Sequence, residues 1–182
     1  FFVSTWRRKN GGNKVSHLDN KIKWCLDKAQ KELAGKKKHR GLVKIIPNLE
    51  EAKMHIAKAE HNFQAVIFLE KTFSDWSVSA CFYTIYHCFL AIILKHGYES
   101  RNQECTLALI KQLKESKDIS LDQDIVDVLD YEEVNLESNV INMRENFQYG
   151  TETSVQDRKL EKLKEVCRRA IYQTKKEIYP GN

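Results

Sequence analysis

The sequence predicts an all-α fold, an up-and-down bundle of four to five helices with an accessory helix at the N-terminus. Three observations predict it. Two prolines and seven glycines in 182 residues are too few for a turn-rich β architecture. Five segments carry apolar residues at three- and four-residue steps, most of them between recognisable caps, and no segment alternates with the two-residue period of a strand. One stretch, residues 73–97, is apolar nearly all round, with no Asp, Glu, Lys or Arg from Val78 to Leu94. A helix of that kind must be covered on several sides, which makes it the centre of a bundle.

Taken in order, residues 1–15 show no periodicity and read as an unstructured or loosely docked arm. Ser16 and Asp19 can start a helix that stops at Gly35, with Leu18, Ile22, Cys25, Leu26, Ala29 and Leu33 on one face. KKKHRGLVK, 36–44, reads as a basic linker. Asn48 and Glu51 have capping-box spacing, and Leu49, Ala52, Ile56, Ala59, Phe63 and Val66 form a seam through about 48–71. A very short turn then leads into the central helix, so these two are expected to be antiparallel neighbours. Ser74 is placed to cap the central helix, Phe73 and Val78 to staple it, and Gly97 to end it.

After a loop at 98–102, a short helix is expected over 103–115 with Leu107, Ile110 and Leu113 inward. Ser120 and Gln123 can cap a fourth main helix reaching Tyr149, with Ile125, Leu129, Leu136, Val140, Met143 and Phe147 inward. Its polar middle, EEVNLESN, predicts a bend or break near 137–139. Thr153 and Gln156 can open a last helix over about 154–178, with Leu160, Leu163, Cys167, Ala170 and Thr174 inward. The expected organisation is therefore a basic arm and accessory helix over 1–46 and a bundle over 47–182.

The net charge of +5 conceals an asymmetry. Residues 1–44 hold 13 Lys+Arg and 3 Asp+Glu, a charge of +10, whereas the remainder holds 17 and 22, a charge of −5. A basic arm on a mildly acidic body is either an electrostatic footprint for nucleic acid or an acidic partner, or a solvated extension. The opening FFVSTWRRKNGG has no apolar core of signal-peptide length. A membrane span is the weaker reading of the central run, because it carries Tyr83, Tyr86 and His87 and has no companion. The five cysteines are odd in number and show no C-x-x-C spacing. They are expected to be small buried hydrophobes in a reducing, cytoplasmic setting, without disulfide or zinc. No phosphate-loop, dinucleotide or nucleophile-elbow motif is present, so no cofactor is expected.

Two places can carry chemistry. His87 lies within the central helix, four residues after Tyr83 and beside Tyr86. It is either a satisfied core imidazole or part of a polar pocket for a base, a phosphate or a proton. Arg144, in MRENFQYG (143–150), is followed by Asn146, Gln148 and Tyr149. It offers a fork of donors suited to phosphate, or it caps helix carbonyls and pairs with an acid. His55 and His61 are six residues apart, on different helix faces, and do not form a metal pair. The carboxylates between Asp122 and Glu137 read mostly as a solvated helix face.

The stretch SVSACFYTIYHCFLAIILKHGYES, 77–100, resembles the second-helix hallmark of the HEPN (higher eukaryotes and prokaryotes nucleotide-binding) family. AKMHIAKAEHNFQAVIFLEKTFSDW, 52–76, resembles its first helix, and MRENFQYG falls where that family carries an arginine motif. The resemblance covers about 47–178 and implies a bundle that commonly dimerises. It implies one of three roles: a metal-independent ribonuclease, a non-catalytic RNA- or nucleotide-binding module of a toxin–antitoxin or RNA-processing system, or the partner of a minimal nucleotidyltransferase. The catalytic pattern is R-x(4–6)-H. Arg144 matches the arginine, but Tyr149, Gly150 and Thr151 occupy the three positions open to the histidine. Tyrosine, with an ordinary pKa near 10, is a poor base at neutral pH. The resemblance thus implies RNA or nucleotide binding through Arg144, Asn146, Tyr149, Tyr83 and His87, with inefficient hydrolysis. The runner-up is an active nuclease pairing Arg144 with Tyr149 or His87.

Overall fold

The computed structural model describes residues 17–130 and 139–179. Among these are α1 (His17–Ala34), β1 (Leu42–Lys44), α2 (Leu49–Leu69), α3 (Ser74–Lys95) and β2 (Tyr98–Ser100). They are followed by α4 (Gln103–Glu115), α5 (Gln123–Asp127), α6 (Val140–Tyr149) and α7 (Asp157–Ile178). The architecture is the expected all-α bundle, and α3 is its axis. It packs against α2, α4, α6 and α7, and Val78, Cys81, Ile85, Cys88, Phe89, Ile92 and Ile93 are almost completely buried. By length and composition α3 could cross a membrane, yet 67% of its most apolar window is buried within the fold.

The α2–α3 hairpin follows from its sequence signals. Asn48 Oδ1 accepts from the Glu51 N–H at 3.1 Å, so the expected cap forms. The helices run antiparallel from the Asn48 N–H bonded to the Leu94 carbonyl, to the Ser77 hydroxyl donating to the Val66 carbonyl. Gly97 adopts φ +79° and ends α3 where the expectation placed it. That left-handed conformation strains any residue with a Cβ, and a Cβ there would also stand 2.9 Å from the Ile45 carbonyl oxygen.

Several expectations need correction. The sequence showed no strand, but β1 pairs antiparallel with β2, Val43 opposite Glu99. Three-residue strands are too short to show a period, and these lie in the segments read as a linker and a loop. Gly41 precedes β1 and lies against α1, where a Cβ would be 2.3 Å from the Cys25 carbonyl oxygen. Cys25 and Cys105 form a disulfide between α1 and α4; only Cys81, Cys88 and Cys167 are free and buried. Local spacing could not reveal a bridge between cysteines 80 residues apart, each on the inward face of its own helix. The cysteines therefore lend no support to a reducing compartment.

Among the described residues, the helix expected over 120–149 divides into two. α5 stops at Asp127, and α6 begins after Asn139, whose Oδ1 accepts from the Ile141 and Asn142 N–H groups at 3.0 and 3.1 Å. The Val140 N–H donates to the Val128 carbonyl, which ties the two ends of the break together. Leu136 lies outside the described residues. The carboxylates at the start of this region are paired rather than merely solvated. Arg169 bonds Asp122 and Asp124, and Lys111 meets the buried Asp130 at 2.5 Å.

Helix starts also differ in detail. Phe73, not Ser74, is the N-cap residue of α3, so it does not hold the position before the cap that a staple uses. The Ser74 hydroxyl instead accepts from the Val155 N–H at 2.9 Å, joining α3 to the segment before α7. Neither Ser120 nor Thr153 caps its helix. Asp122 precedes α5 and Gln156 precedes α7, both without a side-chain cap bond.

Candidate functional site

A row of rings runs along α3 from the buried Phe82 to the half-buried Tyr86 and His87. At one end the Arg144 guanidinium from α6 lies over Phe82, with Cζ 4.3 Å from the ring centroid. Phe82 stacks on Tyr86 at 5.7 Å, and the Tyr86 ring meets His87 edge-on at 6.5 Å. His87 stacks in turn on His55 of α2 at 5.0 Å. The arrangement follows from helical spacing. Phe82 and Tyr86 are one turn apart on α3, and the antiparallel hairpin brings position 55 opposite position 87.

Polar bonds fix the middle and far end. The Tyr86 hydroxyl is 3.4 Å from the Thr106 hydroxyl on α4, which itself donates to the Ser100 hydroxyl at 2.8 Å. Burial pushes the Tyr86 phenol above its ordinary pKa, so it stays protonated at neutral pH. The Nδ1 atoms of His55 and His87 are 2.7 Å apart, so one ring donates and the other accepts. Burial lowers the His87 pKa to about 4, and the neighbouring His55 and Lys58 add to that shift; burial also lowers His55. Both rings are neutral at pH 7.

The expected site residues therefore share a region but do not meet at a point. Arg144 and His87 are separated by Phe82 and Tyr86. Tyr83 is exposed on the outer side of α3, with Trp76 two turns before it. Asn146 and Tyr149 are exposed on α6, Tyr149 at 84%. Five residues of helix put Tyr149 well around α6 from Arg144, so the ring beside the guanidinium is Phe82 instead. Between the two helices, Asp75, Trp76, Ser79, Phe147 and Gln148 enclose a small cavity of about 90 Å³.

Two participants escaped the sequence reading. Sequence spacing sets His55 beside His61 alone, whereas the short turn at 70–73 is centred midway between positions 55 and 87. Phe82 was absorbed into the apolar run. Among the described residues no three His, Cys, Asp or Glu side chains group as a metal site. No family model matches the sequence, and no curated protein does either.

Proposed function

We propose that this chain is an RNA-binding helical bundle that holds phosphate and base on the α3–α6 face and does not hydrolyse RNA efficiently. One observation carries the reading. The Arg144 guanidinium lies on a ring, its Nε is shielded from solvent without a hydrogen-bond partner, and it meets no carboxylate among the described residues. Arg40, Arg101, Arg168 and Arg169, in contrast, are each paired with a carboxylate, and Arg158 is exposed to solvent. A half-buried guanidinium without an anion is a poor structural element and a good phosphate receptor. The exposed rings of Tyr83 and Trp76 offer stacking faces on the same helix. Measuring RNA affinity and cleavage for the native chain and Arg144→Ala tests the proposal directly.

The resemblance to HEPN domains agrees with this reading, and the lack of a motif histidine argues against strong catalysis. A second reading, a ribonuclease, draws on the contact between two neutral imidazoles, His55 and His87, although a pKa lowered to about 4 makes His87 a weak base at pH 7. The two rings that separate His87 from Arg144 weigh against a single catalytic centre. Within the proposal, the chain pairs with its own copy, and the exposed Phe68 and Phe73 around the α2–α3 turn supply apolar surface for that contact.

A further inference from the structure

A second cleft, between α1 and α4, shares no residue with the Arg144 region. It encloses a cavity of about 300 Å³, at the lower end of the range for small-molecule pockets, about 300–1,000 Å³. Leu18, Leu107, Ala108 and Leu129 supply apolar lining. Its charges are internally matched, since Lys21 meets Glu104 at 2.6 Å and Lys111 meets Asp130 at 2.5 Å. The cavity itself is therefore not built for an anion. Gln103 also lines it, and the amide Nε2 is shielded from solvent with no hydrogen-bond partner. Such a donor is costly, and a turn of the amide toward the cavity would let a ligand accept from it.

Lys21 connects the cavity to an exposed ring. The Lys21 and Lys28 ammonium groups lie 5.0 and 4.9 Å from the centroid of Trp24, an indole that is 48% exposed. The surrounding surface is basic. Residues 17–44 contain nine Lys+Arg and three Asp+Glu, a charge of +6. The Cys25–Cys105 disulfide holds the two walls together, one residue from Trp24 and two from Gln103.

We propose that this cleft is a second contact for single-stranded RNA, with one base in the cavity against Gln103 and a neighbouring base on Trp24. The inference rests on the RNA-binding reading above and adds where the strand is held. A nucleobase is neutral and flat, and its edge carries the acceptor that the Gln103 amide lacks. A base stacked on an indole is a stronger contact than an exposed ammonium on the same ring. The strand displaces the ammonium groups from the face of Trp24; Lys21 keeps its bond to Glu104, and the freed Lys28 meets a phosphate. The cross-link fixes both walls in advance, so little ordering is left for the bound state.

The test titrates the full native chain and its Trp24→Phe variant with a short oligoadenylate, the difference in indole emission reporting on Trp24. Saturable quenching of Trp24 is expected. Trp24→Ala and Gln103→Leu should each weaken binding about tenfold without lowering the thermal midpoint. Binding that falls in Arg144→Ala but not in either cleft variant, without quenching, overturns the cleft and leaves the RNA-binding reading standing. No binding of the native chain at low salt overturns both.

Discussion

His55 and His87, 32 positions apart in the chain, place their Nδ1 atoms 2.7 Å from each other across the α2–α3 hairpin. That contact is possible only while at least one ring is neutral. The folded His87 has its pKa lowered from 6.5 to about 4 by burial and by its neighbours. A depressed histidine pKa means that the unfolded chain takes up the proton first. The contribution is present above about pH 6.5 and is lost as pH falls toward 4. The shift corresponds to at most about 3 kcal/mol, and solvent screening at this half-exposed site reduces it to about 1–2 kcal/mol. Thermal melts should show this loss between pH 6.5 and 4, and His87→Gln should flatten it. An unchanged slope in the variant would assign the acid sensitivity elsewhere.

The Cys25–Cys105 bridge closes a loop of 80 residues, for which chain-entropy arguments give about 4 kcal/mol. Cys25→Ala with Cys105→Ala should lower stability by a comparable or smaller amount. Hydrogen exchange should locate the loss in α1 and α4, with the α3 amides still protected. Equal loss of protection throughout α3 would show that the bridge supports the whole bundle.

Self-association is expected through the apolar surface around Phe68 and Phe73, of which Phe68 is 85% exposed. Sedimentation at micromolar concentration should give about twice the monomer mass, and Phe68→Lys should shift the chain toward monomer. A monomeric native chain under those conditions would rule the pairing out.

The helices were legible wherever their signals were local. The Asn48 cap, the Gly97 stop and the inward residues Leu160, Leu163, Cys167, Ala170 and Thr174 each depend on neighbours within a turn or two. What was not legible depended on distant partners. Ser74 looked like a cap, but its hydroxyl serves Val155. Asp122 leaves its helix start uncapped while it bonds Arg169. The cysteine bridge and the short strands join segments more than 50 residues apart. The same limit applied to the candidate site. Arg144 could be singled out from its chemistry, but its placement on Phe82 required the packing of α6 on α3. The His55–His87 contact was within reach, given the antiparallel pairing already expected for their helices.

The central claim is that Arg144 receives RNA. Fluorescence anisotropy with a labelled single-stranded RNA, over a series of salt concentrations, tests it most directly. The native chain should bind with an affinity that falls steeply with salt, because each neutralised phosphate releases counterions. Arg144→Ala should cost about 1–3 kcal/mol, the loss of a charge-assisted contact, and the labelled strand should remain intact throughout. Equal affinities for Arg144→Ala and the native chain would contradict the claim, as would metal-independent cleavage by the native chain that disappears in the variant.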